Sequence, residues 1–157
     1  MKKYILLLAF VLLGQWANAQ MQTWTWDIYK VMFSVPNSLI IDQNDKDSFS
    51  AGDSSIYLAI YPANIEDLNN DDLIGKLGEW ANNELLIYDI ENLVIIENLN
   101  GFDGYMLDCI DPKGYPTTIG ILFHPHYPRL GIGIWLQYQE GELQKAIEIL
   151  QSFKPLD

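Results

Sequence analysis

Alternation of apolar and polar side chains with a period of two marks out most of this chain as strand. Trp24, Trp26 and Ile28 alternate with Thr25 and Asp27, which predicts an extended arm. Val31 to Pro36 predicts a strand that stops at the proline, because Pro cannot donate to a ladder. Residues 42–48 (DQNDKDS) predict a polar loop, and Phe49 to Ala51 a short strand before the Gly52-Asp53 turn. Ser55 to Tyr61 predicts a further strand, with Ile56, Leu58 and Ile60 on one face, Tyr57, Ala59 and Tyr61 on the other, and Pro62 as its end.

The period then changes. From Asn70 or Asp71, either of which can cap free amide groups, Leu73, Leu77, Trp80, Ala81 and Leu85 recur at three- and four-residue intervals and predict a helix with one buried stripe. Gly75 and Gly78 each weaken it by about 1 kcal/mol relative to alanine, and are expected to let it approach the sheet closely. A meander of four strands follows: Leu93 to Leu99, Tyr105 to Ile110, Thr117 to Phe123 and Leu130 to Tyr138. Their turns are Asn100 to Gly104, the type I turn Asp111-Pro112-Lys113-Gly114, and His124 to Arg129. The glycines at 131 and 133 fall within the last strand, where close backbone packing accounts for them. A closing helix from about Gly141 to Ser152 buries Leu143, Ala146, Ile147 and Leu150. The order β-β-β-α-β-β-β-β-α predicts an α+β fold, an antiparallel sheet of about six to seven strands covered by two helices.

The N-terminus has another pattern. Lys2 and Lys3 precede the uncharged run Tyr4 to Leu13, and Ala17-Asn18-Ala19 gives a small-x-small cleavage site. Residues 1–19 are therefore expected to be a signal peptide, cut before Gln20, with residues 20–157 exported to the periplasm or secreted. The apolar run is shorter than the about 20 residues that cross a bilayer, and no second such run follows, so no membrane span is expected in the mature chain. Loss of Lys2 and Lys3 takes the net charge from −12 to −14, which argues against nucleic acid and anionic lipid as partners. Cys109 is the single cysteine, so no internal disulfide forms and the lipid-modified cysteine of a lipoprotein is missing. Its place in the apolar segment Tyr105 to Ile110 predicts a small buried hydrophobe.

Few residues suggest chemistry. His124 and His126, two apart in an extended segment, are the weak candidates for a metal pair, although third and fourth ligands have no sequence signal and a solvated loop accounts for both. Asp42, Asn44, Asp45 and Asp47, and then Glu66, Asp67, Asp71 and Asp72, lack the spacing of a calcium loop, and helix capping explains the second group better. Trp24 with Trp26, and Tyr57 with Tyr61, each share a side and form the candidate ligand platform, although packing in the core or under a helix explains them more simply. No Gly-x-Ser-x-Gly, Ser-x-x-Lys or phosphate-binding glycine loop is present, so no catalytic residue, cofactor or metal is assigned.

Phe33-Ser34-Val35-Pro36, the strand Ile56 to Tyr61 and the ending Ala146 to Pro155 (AIEILQSFKP) resemble the PsbP-like superfamily. That group includes photosystem-associated, Ran-binding and bacterial periplasmic members, and the resemblance implies a non-enzymatic accessory or protein-binding role. The expectation is an exported binding module for a protein partner in the cell envelope. The alternative is a small-ligand or glycan binder using the aromatic-rich sheet face, and a hydrolase comes third.

Overall fold

The computed structural model describes residues 20–66 and 68–157; the expected signal peptide, residues 1–19, lies outside them, as does Asp67. Ten strands and two helices follow one another as β1 (Met21–Trp26), β2 (Val31–Pro36), β3 (Ile40–Asn44), β4 (Phe49–Gly52), β5 (Ile56–Asn64), α1 (Asn70–Glu79), β6 (Asp89–Leu99), β7 (Phe102–Ile110), β8 (Pro116–Phe123), β9 (Leu130–Tyr138), α2 (Leu143–Gln151) and β10 (Lys154–Pro155). Seven of these strands form one antiparallel sheet in the order β3-β4-β5-β9-β8-β7-β6, and β1-β2-β10 form a second, smaller one. The class is α+β, as the pattern predicts.

Side-chain alternation decides what covers each face. Ile56, Leu58 and Ile60 of β5 register with Tyr138, Leu136 and Ile134 of β9, all buried. This face, which also carries Phe49 of β4, is closed by Phe33 of the small sheet, by Ile149 and Leu150 of α2, and by Phe153 just beyond that helix. The opposite face carries Tyr105, Leu107, Cys109 and Ile119, and it is covered by Leu73 and Leu77 of α1 and by Ala81 just beyond it. Burial of one such aliphatic side chain is worth about 1.5–3 kcal/mol, so neither face is stable bare.

Several local expectations change. The arm at Trp24 and Trp26 is a paired strand: β1 registers with β2 from Met21↔Pro36 to Trp26↔Val31. The loop at 42–48 begins as edge strand β3, which is polar because it pairs only with β4 and has little to bury. Pro62 does not end β5, which continues to Asn64; β4 stops opposite Ile60, so beyond it one side of β5 has no ladder for a missing N–H to break. The turn before β7 is only Asn100-Gly101, both with positive φ (51° and 107°), the tight form that suits a twisted hairpin. Asn69, not Asn70 or Asp71, caps α1: its side chain accepts from Asp72 N–H at 3.0 Å while the Asp72 carboxylate accepts from Asn69 N–H at 3.3 Å. Gly75 and Gly78 do not bring α1 onto the sheet, since both face open space.

The chain ends are joined by polar contacts across long sequence separations. Ser152 Oγ accepts from Ser34 N–H at 2.8 Å, and Asn100 Nδ2 donates to the carbonyls of Gln151 and Phe153 at 2.6 and 3.1 Å. Phe33 stacks on Phe153 at 5.4 Å.

Two alanine substitutions should move stability in opposite directions. A Cβ at Gly104 would collide with the Ile121 carbonyl oxygen in the middle of β8, so Gly104→Ala should cost at least about 2 kcal/mol. At Gly75 a Cβ meets nothing, so Gly75→Ala should stabilise α1 by about 1 kcal/mol. Urea midpoints of the two variants check both signs; equal midpoints would refute the placement of β7 and α1.

Candidate functional site

The aromatic pairs separate. Trp26 is buried with its Nε1 donating to the Asp45 carbonyl at 2.9 Å, and Trp24 packs on Phe49 at 5.4 Å. Both belong to the core layer beneath the small sheet and present no open platform. Tyr57 and Tyr61 do share the face under α1, each edge-on to a tryptophan: Tyr57 to Trp135 at 5.2 Å, and Tyr61 to Trp80 at 5.8 Å.

The histidines also differ from the solvated pair expected. His124 is only 3% exposed, a burial that the loop sequence gave no sign of. Its Nε2 donates to the Lys30 carbonyl at 2.9 Å and its Nδ1 accepts from His126 N–H at 3.2 Å. One neutral tautomer satisfies both bonds, and neither nitrogen then has a free lone pair for a metal. His126 is exposed and pairs with Asp157 at 3.3 Å. The acidic groups have local partners: the Asp45 carboxylate accepts from the Gln43 side chain and from the Asp47 and Ser48 N–H groups, which holds its pKa below the usual range, and Glu66 pairs with Arg129 at 2.8 Å.

Two features that single-sequence patterning missed stand out instead. The first is a hollow of about 400 Å³ between α1 and the sheet, within the size range of small-molecule sites. Its walls are Tyr61, Leu73, Leu77 and Trp80, and its floor is the small-residue stretch around Ala63 and Gly133. Lys76 and Glu84 stand at its rim. Beyond α1 the helix widens into a π-helical turn, Trp80–Glu84, in which Leu85 N–H donates to the Trp80 carbonyl at 3.2 Å. Such turns are frequent at functional sites.

The second is the edge of the large sheet. Strand β6 pairs with β7 alone. Val94 and Ile96 point to the core side, whereas Leu93 and Ile95 lie on the α1 face beyond the reach of the helix. Together with Leu86, Tyr88 and Ile90 they form a run of large apolar residues exposed from 38% to 73%. Edge strands are ordinarily blunted by Lys or Pro, and β6 (DIENLVIIENL) contains neither. Its charges, Asp89, Glu91 and Glu97, are all acidic.

Two titratable groups lie inside the sheet. Burial pushes Asp108 up to about 6, partly opposed by the Thr118 hydroxyl that donates to it at 3.4 Å and reinforced by Glu91. Burial also pushes the Cys109 thiol up to about 12, helped by the Asp108 carboxylate. A thiol so far above neutral pH is a packing residue, as its strand position predicts.

Neither a protein-family model nor a curated protein matches the sequence. Solved structures do match in fold. The cyanobacterial PsbP (CyanoP) of Synechocystis superposes with a TM-score of 0.64 and 15% identity, over 91% of this chain and 98% of that one. The Ran-binding protein Mog1p of Saccharomyces cerevisiae superposes with a TM-score of 0.57 and 8% identity, over 88% and 97% of the two chains. At these identities the likeness is one of fold: the chain has the fold of the PsbP and Mog1p structures, in line with the fold that the sequence resemblance implies.

The buried pair yields two expectations. Cys109 should react with a maleimide orders of magnitude more slowly in the native protein than in denaturant at pH 8, and equal rates would refute its burial. Asp108 binds its proton more tightly folded than unfolded, so its contribution to stability falls as pH rises from about 4 to 6. Asp108→Asn should remove that loss and raise stability at pH 7 by on the order of 2 kcal/mol, while leaving it unchanged near pH 3. Urea unfolding at the two pH values measures the difference.

Proposed function

We propose that this chain is an exported, non-enzymatic binding module that takes a protein partner along strand β6. The observation that carries it is the exposed apolar run Leu86, Tyr88, Ile90, Leu93 and Ile95 beside an edge that lacks the usual guards. An extended segment of a partner adds to such an edge through main-chain hydrogen bonds, and its alternate side chains lie against Leu93 and Ile95. Asp89, Glu91 and Glu97 favour a partner segment with Lys or Arg at its rim positions, and would speed its approach at low salt.

The remaining support is of three kinds. The fold is shared with a protein described as Ran-binding, so this architecture serves protein recognition in at least one case. The charged, apolar and small-residue pattern of residues 1–19 favours export, which would put the partner in the cell envelope or outside the cell. Both ring nitrogens of His124 are engaged by backbone groups, which leaves the third alternative, a hydrolase with a histidine base in this loop, without a free base at that position.

A photo-crosslinking residue at position 93 tests this in the producing cell. One discrete adduct is expected from position 93, none from position 75 on the exposed face of α1, and loss of the adduct with Ile95→Lys. Because Ile95 is 63% exposed, that variant should keep its urea midpoint within about 0.5 kcal/mol of the parent, so that loss of the adduct cannot be ascribed to unfolding. No adduct at 93 above the position-75 background would overturn the reading.

A further inference from the structure

The hollow under α1 follows from a choice of small residues rather than from loose packing. On the face that α1 covers, β5 presents Tyr57, Ala59, Tyr61 and Ala63, and β9 presents Gly131, Gly133, Trp135 and Gln137 in register with them. The rows run Tyr57 with Gln137, Ala59 with Trp135, Tyr61 with Gly133 and Ala63 with Gly131, so large side chains crowd one end and the floor turns small beside Tyr61, with Ile65 and Ile121 already over Gly131. The glycines of α1 face outward, away from this floor, and Trp80, at the start of the π-helical turn, reaches down beside Gly133 and meets Tyr61 edge-on at 5.8 Å, which closes one side of the hollow. A Cβ built on Gly133 would stand inside the hollow at 3.8 Å from Trp80 Cη2 and 3.8 Å from Tyr61 Cβ. Two aromatic side chains and an aliphatic side suit an apolar body.

The rim adds a sign. Lys76 is among few cations in an acidic chain, and among the described residues it has no ion-pair partner, whereas Lys46, Lys145 and Arg129 each have one. Glu84, the rim anion, is eight residues farther along the helix, roughly 12 Å away at 1.5 Å per residue. The Tyr61 hydroxyl has no hydrogen-bond partner among the described residues and lies at the same hollow.

We infer that this hollow binds a small amphiphile, with its apolar body against Leu73, Leu77 and the edge-to-face pair Trp80 and Tyr61, and an anionic group at Lys76. The site is separate from the β6 edge and does not depend on it.

The anionic fluorophore 1-anilinonaphthalene-8-sulfonate and its neutral analogue N-phenyl-1-naphthylamine test the inference on the folded mature chain. The sulfonate should bind saturably at one site per chain by titration calorimetry, and more tightly than the neutral probe. Gly133→Val, which fills the hollow through contacts that start at ordinary van der Waals distance, should weaken both probes at least tenfold. Ala63→Val replaces it if near-ultraviolet circular dichroism shows that the first variant is not folded. Lys76→Gln should weaken only the sulfonate, about threefold, and abolish the salt dependence of its binding. Ile95→Lys should change neither affinity. Unsaturable binding, affinities unmoved by the filling substitutions, or loss of binding with Ile95→Lys would each overturn the assignment.

Discussion

Both faces of the seven-stranded sheet are apolar, and the rest of the structure is arranged to cover them. Strand β9 is paired along its whole length by β5 and β8, and Ile132, Ile134 and Leu136 are fully buried on one of its faces. A sheet of this kind is stable only with a layer on each side. The small sheet and α2 supply one layer, and α1 with its π-helical turn supplies the other. The first of these is built from the two ends of the described chain, which is why Ser34 and Ser152, 118 residues apart, share hydrogen bonds. With no disulfide available, that closure rests on packing and on a few backbone contacts around Ser152 and Asn100.

Coverage on the α1 side is incomplete in two places, and these are the two candidate sites. Under the helix, Gly133 and Ala63 leave space where larger side chains would otherwise meet it. Beyond the helix, the sheet extends one strand farther than α1 reaches, and Leu93 and Ile95 are left facing solvent. The two gaps differ in what they can accept. A half-enclosed hollow selects a ligand by shape and by a rim charge, whereas an open edge with backbone groups available selects an extended chain. The charges of β6 are all acidic, whereas Lys76, with no ion-pair partner among the described residues, stands at the hollow and offers a contact to an anionic group.

Polar groups inside the fold follow the same economy of placement. His124 closes the β8–β9 loop onto Lys30 at the start of β2 and so ties the two sheets together. Lys30 has φ 52°, a left-handed conformation that a non-glycine residue holds only where its surroundings fix it, and the His124 bond to its carbonyl is one such restraint. Asp108 is the exception: at 9% exposure its one side-chain partner is a long bond from Thr118, and it raises the cost of the folded state at neutral pH.

Local elements are legible in the chain before any fold is known. Alternation at Ile56 to Tyr61 and Leu130 to Tyr138 assigns those strands and their faces, the Leu73, Leu77, Ala81 spacing assigns the buried side of α1, and Asp111-Pro112-Lys113-Gly114 assigns its turn, closed by Gly114 N–H to the Asp111 carbonyl at 2.9 Å. These signals are carried by neighbours within a few residues, so one chain suffices to show them. Errors arose wherever a distant partner decides. Pro62 is tolerated in β5 because β4 has ended beside it, polar β3 is a strand because β4 offers a ladder, Trp24 and Trp26 are core because β2 and Phe49 lie against them, and His124 is buried because Lys30 is folded over it. The candidate sites belong to this second class. No periodicity announces a hollow, since it is the register of β5 on β9 that lines up Ala63 with Gly131 and Tyr61 with Gly133; and no composition announces an exposed edge, since Leu93 and Ile95 read as core until the sheet order places β6 last. Register and strand order are set by contacts between residues far apart in the chain, and only the tertiary structure decides them.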